Sequence, residues 1–271
     1  MHTIHQKGRC DIGLEGTTPY LDGSLLGDGT LEPYKEISAR LQIRHQIAHA
    51  EYNLWFMEKT SESLRWYEPS EVHQKGMKIE GRAIVSGRQH SIRTRYMMEL
   101  VKARKRWYPE SKKIVPSDLV LTPETVAVWY MDDGSLGFSR PVKNLSPVIV
   151  LYTAGFGKEG SLFLSQLLLE TFGIKSSVHQ NRASWQIAVS GRTQVEKFVK
   201  LVSPTVSQVA CMRYKIDLSR LPERERKHLT EAEVKEMRSM RAAGMKLRQL
   251  ALQFQVGMTT VKKYIRKEKG A

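Results

Sequence analysis

Cysteine is scarce: the 271 residues hold two, Cys10 and Cys211, isolated from one another, which excludes a disulfide framework and a cysteine metal cluster. Long apolar runs are missing as well. No stretch approaches the roughly 18 residues of a membrane span, and the segment from Met1 to Tyr20 lacks the apolar core of a signal peptide. A soluble intracellular protein without a membrane partner is expected, in a bacterial cytoplasm or an organelle matrix. Acid is the third shortage. There are 28 Asp and Glu against 43 Lys and Arg, a net charge of +15, so a polyanionic partner is expected, nucleic acid before an anionic membrane surface.

What is present is one short pattern written twice. Leu21-Asp22-Gly23-Ser24-Leu25-Leu26-Gly27-Asp28-Gly29 and Val126-Ala127-Val128-Trp129-Tyr130-Met131-Asp132-Asp133-Gly134 each follow a Thr-Pro pair, Thr18-Pro19 or Thr122-Pro123. Threonine as N-cap and proline at the first helical position start a helix. Asp-Gly should end it, with glycine as a left-handed C-cap. An acid at a helix C-terminus opposes the negative end of the dipole, and a divalent cation such as Mg²⁺, which takes hard oxygen ligands, would offset it. Gly23 and Gly27 lie four apart and share a face, so another helix can approach closely there; the matching positions of the second helix are Val128 and Asp132. Side-by-side packing would bring Asp28 and Asp133 together, a pair that repels unless a proton or a metal lies between. Metal-assisted phosphodiester hydrolysis is the chemistry this predicts.

These two stretches resemble the paired motifs of a single-chain LAGLIDADG homing endonuclease. The segment Trp107-Tyr108-Pro109-Glu110-Ser111-Lys112-Lys113-Ile114-Val115-Pro116 is similar to that family's linker, and the likeness runs from about Pro19 to Leu218. The first motif departs from the pattern at Asp22 and Ser24. The resemblance implies an α+β fold: a pseudo-twofold pair of αββαββα halves whose saddle-shaped antiparallel sheets straddle double-stranded DNA. It also implies a monomer that cuts both strands of a long asymmetric target across the minor groove, coupled to a mobile intron or intein-like element, with Asp28 and Asp133 each holding Mg²⁺ for one strand. Lys113 and Lys215 follow the last strands of their halves, where a lysine would stabilise phosphorane charge.

Along the chain, residues 1–17 read as a polar arm, 18–116 as the first half, 117–221 as the second and 222–271 as a linker with a separate small unit. Ile37 to Arg44 alternates, with Ala39, Leu41 and Ile43 on a buried face and Arg40, Gln42 and Arg44 on a face able to read bases. A helix follows with Ile47, Ala50, Leu54 and Met57 as its inward stripe. His45-Gln46-Ile47-Ala48-His49 imitates a zinc-protease motif but has Gln46 in place of the catalytic glutamate, so no histidine is assigned a role. Gly81 to Arg93 supplies two strands and Thr94 to Trp107 a basic helix. In the second half, Val148 to Thr153, Ile174 to His179 and Ser184 to Ser190 read as strands. Arg182, Ser184 and Gln186 are the candidate DNA contacts there. A helix from Ser161 to Phe172 is closed by Gly173, and one from Thr193 to Val202 ends before Pro204. Gly155 to Gly160 satisfies GxGxxG but lacks the acid a dinucleotide site needs, and reads as a turn and helix start.

Beyond Pro222, Thr230 and Glu233 form a capping box, and three short helices follow. They resemble the helix-turn-helix of site-specific recombinases, with Gln255 where that family often has glycine. Thr259, Thr260, Lys262, Lys263 and Arg266 would face DNA from the third helix. Two other classes remain open on the same scaffold: a DNA-binding regulator that does not cut, and a maturase acting on intron RNA.

Overall fold

The computed structural model describes residues 18–73, 77–79, 82–84, 87–139, 146–181, 184–219 and 229–266, so the N-terminal arm and Arg182 lie outside the described residues. The chain divides into one compact unit ending at Leu221 and another beginning at Pro222.

In the larger unit the order is α1 (Thr18–Leu26), β1 (Thr30–Tyr34), β2 (Ser38–Gln46), α2 (Ala50–Thr60), β3 (Ser70–His73), β4 (Met77–Ile79), β5 (Arg82–Ile84), β6 (Arg88–Arg93) and α3 (Leu100–Trp107). The order then repeats with α4 (Pro123–Asp133), β7 (Gly134–Ser139), β8 (Ser146–Tyr152), α5 (Gly157–Phe172), β9 (Ser177–Asn181), β10 (Ser184–Ser190) and α6 (Arg192–Val206). With the β4–β5 hairpin set aside as an insertion, both halves are αββαββα. Their sheets have matching antiparallel orders, β1-β2-β6-β3 and β7-β8-β10-β9. Beyond their first turns the two motif helices are core: Leu21 to Leu26 and Thr125 to Met131 are buried, and the cluster around them takes in residues of both halves.

The strand reading of β2 holds on its inner face, with Ala39, Leu41 and Ile43 buried, but Gln42 of the expected reading face is buried as well, packed between Glu32 and Arg44. Helix α2 is rotated from its expected setting. Ile47 and Leu54 are exposed, while Tyr52, Asn53, Trp55 and Phe56 face inward. Three aromatics bury more apolar area than the Ile-Leu stripe, and they carry Asn53 in with them. The basic helix is shorter than expected, because Thr94 bridges to Trp66 and helix α3 starts only at Leu100. Helix α6 runs through Pro204 rather than stopping before it. Proline removes one donor near the end, and the last turn continues through Ser207 N to Ser203 O and Gln208 N to Thr205 O. Gly173 ends α5 in the left-handed conformation, φ 60°, as expected.

The smaller unit packs α7 (Glu231–Ala242), α8 (Leu247–Gln253) and α9 (Met258–Arg266) around Leu229, Met237, Leu250, Phe254 and Val261. The capping box forms, with Thr230 Oγ1 accepting from Glu233 N and Glu233 Oε2 accepting from Thr230 N. Gln255 occupies the left-handed position of the turn, φ 52°. Among the described residues no helix is long and apolar enough to cross a membrane.

Candidate active site

Helices α1 and α4 meet where their side chains are smallest. A Cβ on Gly23 would lie 2.7 Å from Val128 Cβ and from the Thr125 carbonyl oxygen, and one on Gly27 would overlap Asp132. Gly23, Gly27 and Val128 therefore form the helix contact the spacing predicts. Thr122 caps α4 by accepting from Thr125 N, with Pro123 in the first turn. The glycines that end the motifs act differently from expectation. Gly134 is extended, φ −109°, and Gly29 is not among the glycines with positive φ. Both are required by contact: a Cβ on Gly134 would overlap the Tyr130 ring, and one on Gly29 would come within 2.7 Å of Ser24 O and Oγ. The departures in the first motif also have local partners. Buried Asp22 accepts from Arg106 Nη1 at 2.8 Å and Trp107 Nε1 at 2.9 Å, tying α1 to α3, and Ser24 Oγ donates to Leu21 O.

The carbonyl ends of both helices are held by lysine. Lys113 Nζ donates to Gly27 O at 3.1 Å and Gly29 O at 2.8 Å; Lys215 Nζ donates to Tyr130 O at 3.1 Å, Met131 O at 2.5 Å and Gly134 O at 2.9 Å. Each ammonium thus neutralises the negative helix end beside which an acid must sit. Burial lowers the Lys113 pKa to about 8, with Asp133, Asp132 and Asp28 opposing it, and burial lowers Lys215 in the same way.

Three carboxylates converge between these lysines. Asp28 is exposed on one side, its backbone N–H donating to Asp132 Oδ2 at 3.3 Å. Asp133 is half-buried; burial first, then Asp28 and Asp132, push its carboxyl up to about 7. Fully buried Asp132 is also pushed up, against His45 and Tyr52, which lower it. The fourth participant is a residue to which the sequence reading gave no role. His45, next to last in β2, places Nε2 3.1 Å from Asp28 Oδ2 and 3.3 Å from Asp132 Oδ1. Burial works against its charged form, yet Asp132, Asp28 and Asn53 together raise its pKa. Asp132 and His45 pull in the same direction: the cluster retains protons it would lose in water, so it is short of positive charge. A divalent cation fits that deficit, and Asp28, His45 and Asp132 each offer a ligand atom within 4.8 Å of the others.

The signal for His45 was its parity. It follows Ala39, Leu41 and Ile43 on the buried face of the strand, where a polar side chain needs a partner. The partner is Asn53, whose Oδ1 lies 2.6 Å from His45 Nδ1 and whose Nδ2 donates to His90 O at 2.9 Å. His49 of the apparent zinc motif is not in the cluster.

On the outer face of β2, Arg40 pairs with Glu32 at 2.6 Å and lies over the Tyr96 ring. With its amide set to satisfy both ends, Gln42 donates to Glu32 Oε1 at 2.6 Å and accepts from Arg44 Nε at 2.7 Å. The three candidate reading residues are thus linked through one acid. Ser184 and Gln186 lie on β10 on the face opposite buried Ile187 and Val189. In α9, Thr259, Lys262 and Lys263 are exposed and Thr260 is half-buried; Arg266 ends the helix.

Residues 226–268 match the helix-turn-helix domain of resolvase. The chain is 28% identical over 206 residues to the RecA protein of Mycobacterium gastri, covering 72% of this chain and 45% of that protein. It is 26% identical over 201 residues to the cytochrome b mRNA maturase bI2 of Debaryomyces hansenii, covering 72% and 71%. It spans less than half the length of the first two curated relatives it matches, 39% and 45%. Among solved structures, the homing endonuclease I-WcaI bound to its DNA recognition sequence is 25% identical, with a TM-score of 0.62 over 73% of this chain and 84% of that one. Residues 20–198, most of the chain, match the LAGLIDADG DNA endonuclease family, and with the paired αββαββα halves already described the chain belongs to that family.

Proposed function

We propose that the protein is a monomeric, divalent-metal-dependent endonuclease of the homing type, cutting both strands of a long asymmetric DNA target. The observation that carries this reading is the Gly23–Val128 and Gly27–Asp132 contact, which joins the two motif helices near the ends at which Asp28 and Asp133 stand. Asp28 and Asp133 hold the cation, Mg²⁺ being the natural choice for carboxylate oxygens. When bound, it supplies positive charge to the scissile phosphate and activates water for hydrolysis. Lys113 and Lys215 keep the helix ends neutral and, at neutral pH, add positive field where phosphorane charge develops. Arg40, Gln42 and Arg44 on β2, with Arg182, Ser184 and Gln186 in the second half, read the duplex. Thr259, Thr260, Lys262, Lys263 and Arg266 add phosphate and base contacts from a second unit, which raises affinity and its salt dependence.

The test is a plasmid carrying the uninterrupted insertion locus of the protein's own gene, incubated with Mg²⁺ and then with chelator. Linearisation that requires the metal is expected, and Asp28→Asn or Asp133→Asn should reduce it by at least about 100-fold while DNA binding persists. Binding without any cutting would overturn the nuclease reading in favour of a regulator. A second reading, an RNA maturase, is favoured by the similarity to the Debaryomyces maturase across most of both chains. It predicts that splicing of the host intron RNA is accelerated by the protein and survives Asp133→Asn.

A further inference from the structure

The corner of the site built by β2 carries more than the paired motif acids need. His45 and Asp132 side chains are 6% and 0% exposed. Their facing atoms, His45 Nε2 and Asp132 Oδ1, lack any partner in hydrogen-bonding geometry although they lie at ion-pair distance. On its other side the ring is already committed. Asn53 Nδ2 donates to the His90 carbonyl, so Asn53 Oδ1 is left to accept from His45 Nδ1–H at 2.6 Å. With Nδ1–H committed there, Nε2 is the nitrogen turned towards the two carboxylates, the one that would exchange its proton for a bound cation.

A ring N–H given to an amide oxygen, with the opposite nitrogen aimed at carboxylates, is how proteins orient a metal-binding histidine. The spacing agrees. Bonds of about 2.1 Å from one ion to nitrogen and oxygen put neighbouring ligand atoms about 3.0–3.4 Å apart, and the observed separations are 3.1 and 3.3 Å. Two carboxylates and a neutral imidazole also balance a divalent charge. The donor set is wrong for Mg²⁺, which takes oxygen, and right for a borderline transition ion.

We propose that Asp28, His45 and Asp132 form a distinct cation site that takes a divalent ion of the Zn²⁺ or Co²⁺ class in preference to Mg²⁺. It shares Asp28 with the nuclease reading, but it uses Asp132 rather than Asp133 and does not depend on cutting. Among the described residues the second half shows no counterpart. Thr153, just past β8, and Ser161 of α5, eight residues apart like His45 and Asn53, take the corresponding places, and their hydroxyls satisfy one another at 2.6 Å.

The full chain, free of DNA, should be titrated with Co²⁺ and followed by its visible absorption. One tightly bound ion is expected, resistant to a large excess of Mg²⁺. His45→Ala and Asp132→Asn should weaken it at least about 10-fold, and Asn53→Ala about 10-fold through the orientation of the ring. Asp133→Asn should change it less than about threefold, whereas the same variant abolishes cutting under the nuclease reading. Zinc-loaded wild type examined by X-ray absorption should show one imidazole bound, a readout that needs no folded variant. Absence of Co²⁺ binding, superimposable titrations of wild type and His45→Ala, no imidazole on the zinc, or an equal loss with Asp133→Asn would each overturn the proposal.

Discussion

The two halves of the larger unit share one topology and differ most in how each closes the end of its second strand. In the first half His45, next to last in β2, is held by Asn53 and faces the acids; in the second Thr153, just past β8, bonds Ser161 and the Trp185 carbonyl. The motif position before the functional acid differs in step: Asp132 in the second motif, Gly27 in the first. A buried acid with a buried base across the interface, and a glycine with a hydroxyl pair elsewhere, are two solutions to the same packing problem. Only one of them stores charge. A fold can therefore be pseudo-symmetric in backbone while its electrostatics are confined to one side.

That contrast can be broken from the packing side first. Gly27→Val forces a side chain into Asp132 and should cost about 3 kcal/mol or more in urea unfolding. Next comes the charge. His45→Ala leaves Asp132 buried without its base and should lose about 2–3 kcal/mol, whereas Thr153→Val, which removes only hydroxyl bonds, should lose about 1 kcal/mol. A double variant, His45→Thr with Asp132→Gly, makes the first corner like the second, and its loss should fall short of the sum of the two single losses. Equal effects at His45 and Thr153 would erase the asymmetry.

Asp133 gives a pH test of the same charge shortage. Its carboxyl is carried from 3.8 to about 7, so between those values the folded, metal-free protein binds more protons than the unfolded chain. Stability in chelator should then fall as pH rises from about 4 to about 7, and saturating Mg²⁺ should flatten the slope. Asp133→Asn should reduce the slope, leaving the part that Asp132 contributes, and stabilise the metal-free protein by about 1–3 kcal/mol. A flat thermal-unfolding profile in chelator would count against it. The smallest effect belongs to the C-terminal unit. Gly173 ends a helix in the left-handed region without cost, while Gln255 takes the same region with a side chain, so Gln255→Gly should stabilise that unit by up to about 1 kcal/mol in calorimetry.

How much of this was legible varied with the kind of signal. The motif helices, their glycine contact and the alternation of β2 were readable because each is a short-range pattern with a fixed period. The rotation of α2 was not, because Ile47, Ala50, Leu54 and Met57 make as regular a stripe as the face that is buried, and only tertiary contact with Asn53 and the aromatics decides between them. His45 was hidden by a rival pattern. Paired with His49 it suggested a helical metal motif that lacked its glutamate, whereas counting along the strand put it on the core side. The C-capping role given to Gly134 failed because glycine answers two demands, a turned backbone and a missing Cβ, and composition alone cannot say which applies.

The His45–Asp132 contact also governs which pieces can recombine. Two copies of the first half would present a histidine to Gly27, and two copies of the second an acid to Thr153, so neither self-pair would complete the centre. Severed between Pro116 and Thr122, the fragments should prefer each other over their own kind, and a gene fusion that fixes one orientation would be the natural way to keep such unlike partners together.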